Sequence, residues 1–224
     1  MPLMSNTLIR VRAILFDLDG TLVDTTVAVE RTWRAWAAQY GVDPDAVLRV
    51  CHGRRTIETI LQFAPVGIDP VAETAVVEEQ MTRDTDGVVP VPGAKALLDA
   101  IPPNRWAVVT SATRSMAEAR LRLVGLPIPG VLITAEDVAV GKPNPEGYRR
   151  AAQELGQDVR ETLILEDAPA GLGAGHAAGA RVIAVATHLG ADALAGEDWI
   201  PDFNALTVET VQGGGGLHVR VVAS

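Results

Sequence analysis

Five short apolar runs punctuate the chain, at 11–16 (VRAILF), 106–110 (WAVVT), 131–134, 162–165 and 181–185. Near-continuous hydrophobicity over so few residues marks strands buried on both faces, as in a parallel sheet. Amphipathic segments lie between the runs. Ala94, Leu97, Leu98 and Ile101 share one helical face, as do Tyr148, Ala151, Ala152 and Leu155. Asn144 suits the N-cap of the second of these helices, Pro145 its first position and Gly156 its end. Ser115 and Glu118, in SMAE, fit a capping box that opens a helix ending before Gly125. Strands alternating with helices give an α/β fold with a Rossmann-like parallel sheet core.

One interval breaks the rhythm. About 90 residues separate the first run from the second, far more than one crossover helix needs. Within it, 25–40, 56–63 and 71–82 carry helical periodicity, and no strand pattern is evident. A small helical insert is therefore expected at 24–91, after the first strand and returning through Pro90-Val-Pro92-Gly93. Residues 1–23 and 92–224 then form the core domain. Trp33 and Trp36 lie on the first insert helix and are expected in its apolar interior. After four glycines at 213–216 the tail returns at 217–222, which reads as an edge hairpin with a loose turn.

With 48% hydrophobic residues, the chain can bury a proper core and is not intrinsically disordered. Its 28 acidic and 19 basic residues give a formal charge of −9. That balance argues against non-specific binding to nucleic acid, which depends on phosphate neutralisation, but leaves room for a local phosphate site. Cys51 is the sole cysteine, so neither an intramolecular disulfide nor a cysteine-based zinc site can form. A small buried or half-buried side chain is expected there. No apolar stretch suits a signal peptide or a membrane span. The expectation is a cytoplasmic protein, a monomer or weak dimer, with no membrane partner.

Ligands of open parallel sheets bind beyond the carboxyl ends of the strands, and those ends carry unusual residues here. The first run stops in Asp17-Leu-Asp19-Gly-Thr21 and the second in Thr110-Ser111-Ala112-Thr113. Gly141-Lys142-Pro143 follows the third, and the fourth stops in Glu166-Asp167. Helix N-caps would account for any one of these acids, but poorly for all four on one edge. Clustered carboxylates cannot all ionise without a proton or cation between them, and all-oxygen ligation favours Mg²⁺. Gly20 permits a turn that aims Asp17 and Asp19 the same way. One can then attack as a nucleophile while the other shuttles a proton. Lys142 is one of two lysines against 17 arginines, which points to a compact charge placed for a purpose.

DLDGT, TSAT, GKPNP and EDAPAGLGAG, in this order and each at a strand end, resemble the Mg²⁺-dependent phosphotransfer branch of the haloacid dehalogenase superfamily. The resemblance covers nearly the whole chain, though 208–224 do not align with its pattern. The helical insert resembles the superfamily's mobile cap. CHGRRT, VPGA, WAVVTSATRSMA and ITAEDVAVGKPNPEGY are more specifically similar to phosphatases acting on glycerol phosphate and 2-deoxyglucose 6-phosphate.

That resemblance implies a role for each matching residue. Asp17 corresponds to the nucleophile that becomes an aspartyl-phosphate, and Asp19 to the general acid/base. Thr21, Ser111, Ala112 and Lys142 correspond to the phosphate-binding set. Asp17, Asp167 and the Asp19 carbonyl correspond to Mg²⁺ ligands, with Glu166 a further ligand, direct or through water. In the cap, Arg55 corresponds to the arginine of an HGxR pattern and is expected to face a small sugar or polyol phosphate. His52 is weighed equally as substrate contact or helix cap, and Arg54 as a solvated charge. Gly173 and Gly175 are expected to serve helix packing.

Rival readings remain within and outside the superfamily. Asp19 is superfluous for a dehalogenase, DKTGT is absent, and the insert has no lysine for the Schiff base of a phosphonate hydrolase. A β-phosphoglucomutase-type mutase shares Asp17, Asp19 and the cap plan. A non-catalytic phosphometabolite-binding regulator would use the same scaffold with a damaged site.

Overall fold

The computed structural model describes residues 3–4, 6–190, 192, 194–211 and 215–222. The run at 11–16 is not one strand. β1 (Leu8–Val11) and β2 (Ala13–Phe16) belong to different sheets, separated at Arg12, whose amide donates to the Glu161 carbonyl at 2.7 Å. Burial explains the split. In β1 buried Ile9 and Val11 flank exposed Arg10, which suits a sheet with one wet face, whereas every residue of β2 is buried.

After β2 the chain forms β3 (Val23–Asp24), then helices α1 (Thr26–Tyr40), α2 (Pro44–Cys51), α3 (Thr56–Phe63) and α4 (Pro70–Arg83), and returns through β4 (Val89–Pro90). The insert thus has four helices, one more than its periodicity suggests. α2 was signalled locally: Asp43 caps it, accepting from the Asp45 amide at 3.0 Å, and Pro44 occupies its first turn. Asp69 and Pro70 open α4 in the same way. The insert also carries strand structure, contrary to expectation, in the two-residue antiparallel ladder of β3 with β4 at its base. Trp33 and Trp36 meet edge to face, centroids 5.5 Å apart, among Val47, Ile60, Val77 and Met81. Met116 joins this cluster from outside the insert.

Beyond β4 come α5 (Ala94–Ala100), β5 (Trp106–Val109), α6 (Arg114–Leu123), β6 (Leu132–Ile133), α7 (Glu146–Glu154), β7 (Thr162–Glu166), α8 (Pro169–Ala178), β8 (Arg181–Val185) and β9 (Trp199–Ile200). β6-β5-β2-β7-β8-β9 form one wholly parallel six-stranded sheet. Ile14, Phe16, Val108 and Leu165 pack with α5 and α6 on one face; Leu15, Ala107, Ile164 and Val109 pack with α7 and α8 on the other. Gly175 lies in that second layer, where an added Cβ would come 2.8 Å from Val182, so its role is close helix–sheet packing. The nearest atom to a Cβ on Gly173 is Pro143, at 3.4 Å.

Two helix starts differ from their sequence reading. α6 begins at Arg114, so Ser115 lies inside the first turn and no capping box forms; the Glu136 carboxylate accepts from the Arg114 amide instead, at 2.8 Å. α7 begins at Glu146, but Asn144 still caps it, accepting from the Glu146 amide at 3.0 Å.

The tail is integral to the core. β10 (Leu206–Val211) and β11 (Gly216–Val221) form the expected hairpin, whose turn at 212–214 lies outside the described residues. β11 also pairs with β1, making a three-stranded antiparallel sheet in the order β1-β11-β10. Phe203, just before β10, meets Phe16 of the central strand edge to face at 5.9 Å. Cys51 is buried, and burial pushes its thiol up to about 12. No helix among the described residues is long and apolar enough to cross a membrane.

Because Phe203 is 1% exposed against the central strand, Phe203→Ala should cost about 3–5 kcal/mol. Urea unfolding should show this as a lower midpoint with one cooperative transition. A small loss, with the core melting separately, would mean the tail is an appendage.

Candidate active site

β2 delivers Asp17 to the carboxyl edge of the sheet, where its amide donates to the Leu165 carbonyl at 3.0 Å. The chain then turns tightly: the Gly20 amide donates to the Val23 carbonyl at 2.7 Å, and the Leu22 amide to that of Leu18 at 2.9 Å. Gly20 has φ +90°, and a Cβ there would fall 2.0 Å from Asp167 Oδ2. Both the conformation and the crowding demand glycine.

β5, β7 and the loop before α7 supply the rest. Lys142 Nζ donates to Asp17 Oδ1 at 2.5 Å, Glu166 Oε1 at 2.6 Å and the Val109 carbonyl at 3.0 Å. Tyr148 Oη donates to the same Glu166 oxygen at 3.0 Å, and the amides of Asp167 and Ala168 donate to Glu166 Oε2. Glu166 is fully buried, and Gly171 leaves space for it: a Cβ there would come 1.5 Å from Glu166 Oε1. Thr21 donates to Asp167 Oδ1 at 2.7 Å.

Asp17, Glu166 and Asp167 each offer an oxygen within 4.8 Å of the others. Three carboxylates facing one lysine leave two negative charges uncompensated. Burial, with mutual repulsion added, pushes Asp17 and Asp167 well above the usual carboxylate range, Lys142 opposing the rise in both. Burial pulls Lys142 down, but Asp17 and Glu166 outweigh it and raise its pKa. A hard divalent cation fits this donor set. Glu166 already accepts four hydrogen bonds, so Asp17 and Asp167 are the less engaged carboxylates of the three.

Asp19 stands apart from that cluster, on the wall of a cavity beneath the insert. Thr25 Oγ1 donates to its Oδ1 at 3.1 Å, and Arg120 Nη1 lies 2.6 Å from the same oxygen. Asp17, Ser111 and Ala112 border the cavity from the sheet edge; Trp33, His52 and Arg54 border it from the insert. His52 faces the cavity, and burial lowers its pKa. Ser111 Oγ donates to the Gly53 carbonyl of the insert at 2.8 Å, and the Ala112 amide donates to Thr110 Oγ1 at 3.0 Å.

The two insert arginines sit in different surroundings. Arg54 borders the cavity, its Nη1 donating to Gln62 at 2.8 Å, and is half-buried rather than a solvated charge. Arg55 does not border it. Its Nε donates to Glu58 at 2.7 Å and its Nη1 to the Ala139 carbonyl at 3.4 Å, against Gly141, where an added Cβ would come 2.8 Å from Arg55 Nε. A separate narrow crevice there reaches Lys142 and Ser111.

Sequence reasoning passed over Thr25, Arg120 and the tyrosine hydroxyl on Glu166. Arg120 had a legible signal: it falls on the apolar stripe of α6 with Met116, Ala117 and Leu121, where a charge is out of place unless paired.

A parallel sheet with an acidic, lysine-bearing carboxyl edge roofed by a helical insert defines a capped α/β hydrolytic enzyme. Over residues 11–179 the sequence matches the haloacid dehalogenase-like hydrolases, and the chain belongs to that family, as its four motifs imply. Hexitol phosphatase A of Escherichia coli (strain K12) is 44% identical over 183 residues, which span 79% of this chain and 83% of that one. Glycerol-1-phosphate phosphohydrolase 2 of Saccharomyces cerevisiae is 36% identical, over 83% of this chain and 79% of its own length. Among solved structures, CbbY from Rhodobacter sphaeroides in complex with phosphate superposes with a TM-score of 0.72 at 27% identity, covering 86% of this chain and 95% of that one.

The charge imbalance predicts that a bound cation should stabilise the fold. With Asp17 and Asp167 raised, the cation-free native state binds more protons than the unfolded chain above the ordinary carboxylate pKa, so its stability falls as pH rises through that window. Saturating Mg²⁺ at about a hundredfold excess over its dissociation constant should raise the melting temperature by about 5–10 °C. The rise should be larger at pH 8 than at pH 5. A melting temperature indifferent to Mg²⁺ at both would exclude a cation at this edge.

Proposed function

We propose that this chain is a Mg²⁺-dependent phosphatase that hydrolyses small polyol or sugar phosphate monoesters through an aspartyl-phosphate on Asp17. The observation that carries the reading is Asp17 itself: a buried carboxylate gripped by Lys142, beside an acidic pair suited to a cation, opening on a cavity beneath the insert. The relatives named for hexitol and glycerol phosphate chemistry support the substrate class. In this reading 1–23 and 92–224 form the core domain and 24–91 the cap.

Each residue then has a task. Asp17, Asp167 and the Asp19 carbonyl would hold a Mg²⁺, which would supply charge neutralisation to the phosphoryl group. Glu166 anchors Lys142, and Lys142 steadies Asp17 and the phosphate oxygens. Ser111, the Ala112 backbone and Thr21 hold the phosphate and its loop. Asp17 attacks phosphorus, the ester P–O bond breaks, and Asp19 gives its proton to the departing alkoxide. Asp19 then takes a proton from water, whose oxygen attacks phosphorus, breaking the Asp17–phosphorus bond and releasing inorganic phosphate.

Asp17→Asn should abolish phosphate release from glycerol phosphate and hexitol phosphates while leaving the fold intact, because an amide of the same shape cannot attack phosphorus. Excess EDTA should do the same reversibly. Substantial residual turnover in either case would sink the mechanism. Rapid conversion of β-glucose 1-phosphate to glucose 6-phosphate, with a trace of bisphosphate and little free phosphate, would assign a mutase. Ligand binding without any turnover would assign a regulator.

The two cap arginines should separate by substrate. Arg54→Ala should lower kcat/KM about 10- to 150-fold on the preferred polyol phosphate, the worth of one charged contact, and far less on p-nitrophenyl phosphate. Arg55, clamped between Glu58 and the Gly141 loop, should cost both substrates equally when replaced by alanine. The opposite pattern would return Arg55 to the substrate.

A further inference from the structure

Arg120 has no task in the chemistry above, yet its setting is specific. Its guanidinium is buried, with 9% of the side chain exposed, on the apolar stripe of α6. Taking a charge out of water costs several kcal/mol even when it is paired, and an apolar residue of similar size often serves stability as well or better. A methionine at 120 would continue the stripe of Met116, Ala117 and Leu121 without that cost. The position therefore gains something other than stability from the charge.

Its partner shows what. Arg120 Nη1 sits 2.6 Å from Asp19 Oδ1, and Thr25 Oγ1 donates to that same oxygen at 3.1 Å. Among the described residues no hydrogen-bond donor is placed on Oδ2. The two holders come from different elements, Thr25 from the residue before α1 and Arg120 from α6, so together they fix the carboxylate in direction as well as in place. Both Asp19 and Arg120 border the cavity that Asp17 opens on.

We propose that Arg120 is the positioning residue for Asp19. With Thr25 it locks Oδ1, so that Oδ2 is the oxygen that carries the proton to the leaving group and takes it back from water. This rests on the phosphatase reading and on Asp19 as its acid/base. The bond changes are those already given: Oδ2–H gives its proton to the ester oxygen as the P–O bond breaks, and the attacking water restores it. Arg120 touches neither phosphorus nor the leaving oxygen and acts through Asp19.

The test separates proton delivery from recognition by comparing two esters of one shape, phenyl phosphate and p-nitrophenyl phosphate. Phenolate is a poor leaving group and needs the proton, whereas p-nitrophenolate departs readily without it. Since a positioned acid contributes about 10²- to 10⁴-fold, Arg120→Met should lower kcat/KM for phenyl phosphate by about 10- to 100-fold. The loss on p-nitrophenyl phosphate should stay under about threefold, and Arg120→Lys should restore part of the phenyl phosphate rate. Thr25→Val should give the same asymmetry to a smaller degree, and it carries the test if Arg120→Met fails to fold. Equal losses on both esters, or losses confined to polyol phosphates, would overturn the proposal and leave the phosphatase standing. Failure of the unaltered protein to release phosphate from any ester would instead overturn the underlying reading.

Discussion

The contact on which the site depends is the grip of Lys142 on two buried carboxylates, Asp17 and Glu166. An ammonium at 2.5 and 2.6 Å from them offsets much of their repulsion, but with Asp167 alongside the balance is still negative. The surrounding backbone is shaped to tolerate this crowding. Gly20 leaves room for Asp167, Gly171 leaves room for Glu166, and the first amides after β7 donate to Glu166. A fold that packs three acids this tightly has not minimised its own energy there. In the phosphatase reading, this is a place where a cation and a phosphate, opposite in charge, would be jointly favoured.

The sheet supplies the rigidity that such packing requires. β2 lies at its centre, paired in parallel with β5 and β7, so Asp17, Ser111 and Glu166 leave adjacent strands at one edge. Beneath that edge Phe16 packs against Trp106 and Phe203, at 6.2 and 5.9 Å between centroids. The C-terminal strands thus brace the strand that carries the nucleophile candidate, although they lie outside the span matched to the family.

Much of this was readable from the chain alone, and what was not has physical causes. Strand ends were legible because continuous apolar runs collide with charged residues, and the acidic edge followed from where parallel strands place their ends. The split at Arg12 was hidden because two apolar runs adjoin, and the alternation of Ile9, Arg10 and Val11 is too short to stand out. The capping box at Ser115 did not form because the helix starts at Arg114, one residue before Ser115, and the Arg114 amide donates to the distant Glu136 carboxylate. Arg54 and Arg55 show a further limit. Neighbouring residues at a helix start point in different directions, and which of them meets the cavity depends on Glu58 and the Gly141 loop, both remote from any local pattern.

In the phosphatase reading, the insert would be tied to the chemistry by a hydrogen bond as well as by packing. Ser111 has one hydroxyl hydrogen, and here it goes to the Gly53 carbonyl of the insert at 2.8 Å. A phosphoryl oxygen seeking that hydrogen competes with the insert for it, and the Ala112 amide is likewise engaged, with Thr110. If a phosphate binds there, its occupancy and the loosening of the contact at Gly53 would be coupled by hydrogen-bond arithmetic. The same loop carries His52 and Arg54 into the cavity. In that reading a shift of Gly53 would also move His52 and Arg54, so the phosphate and the body of the ester would be met through one short segment.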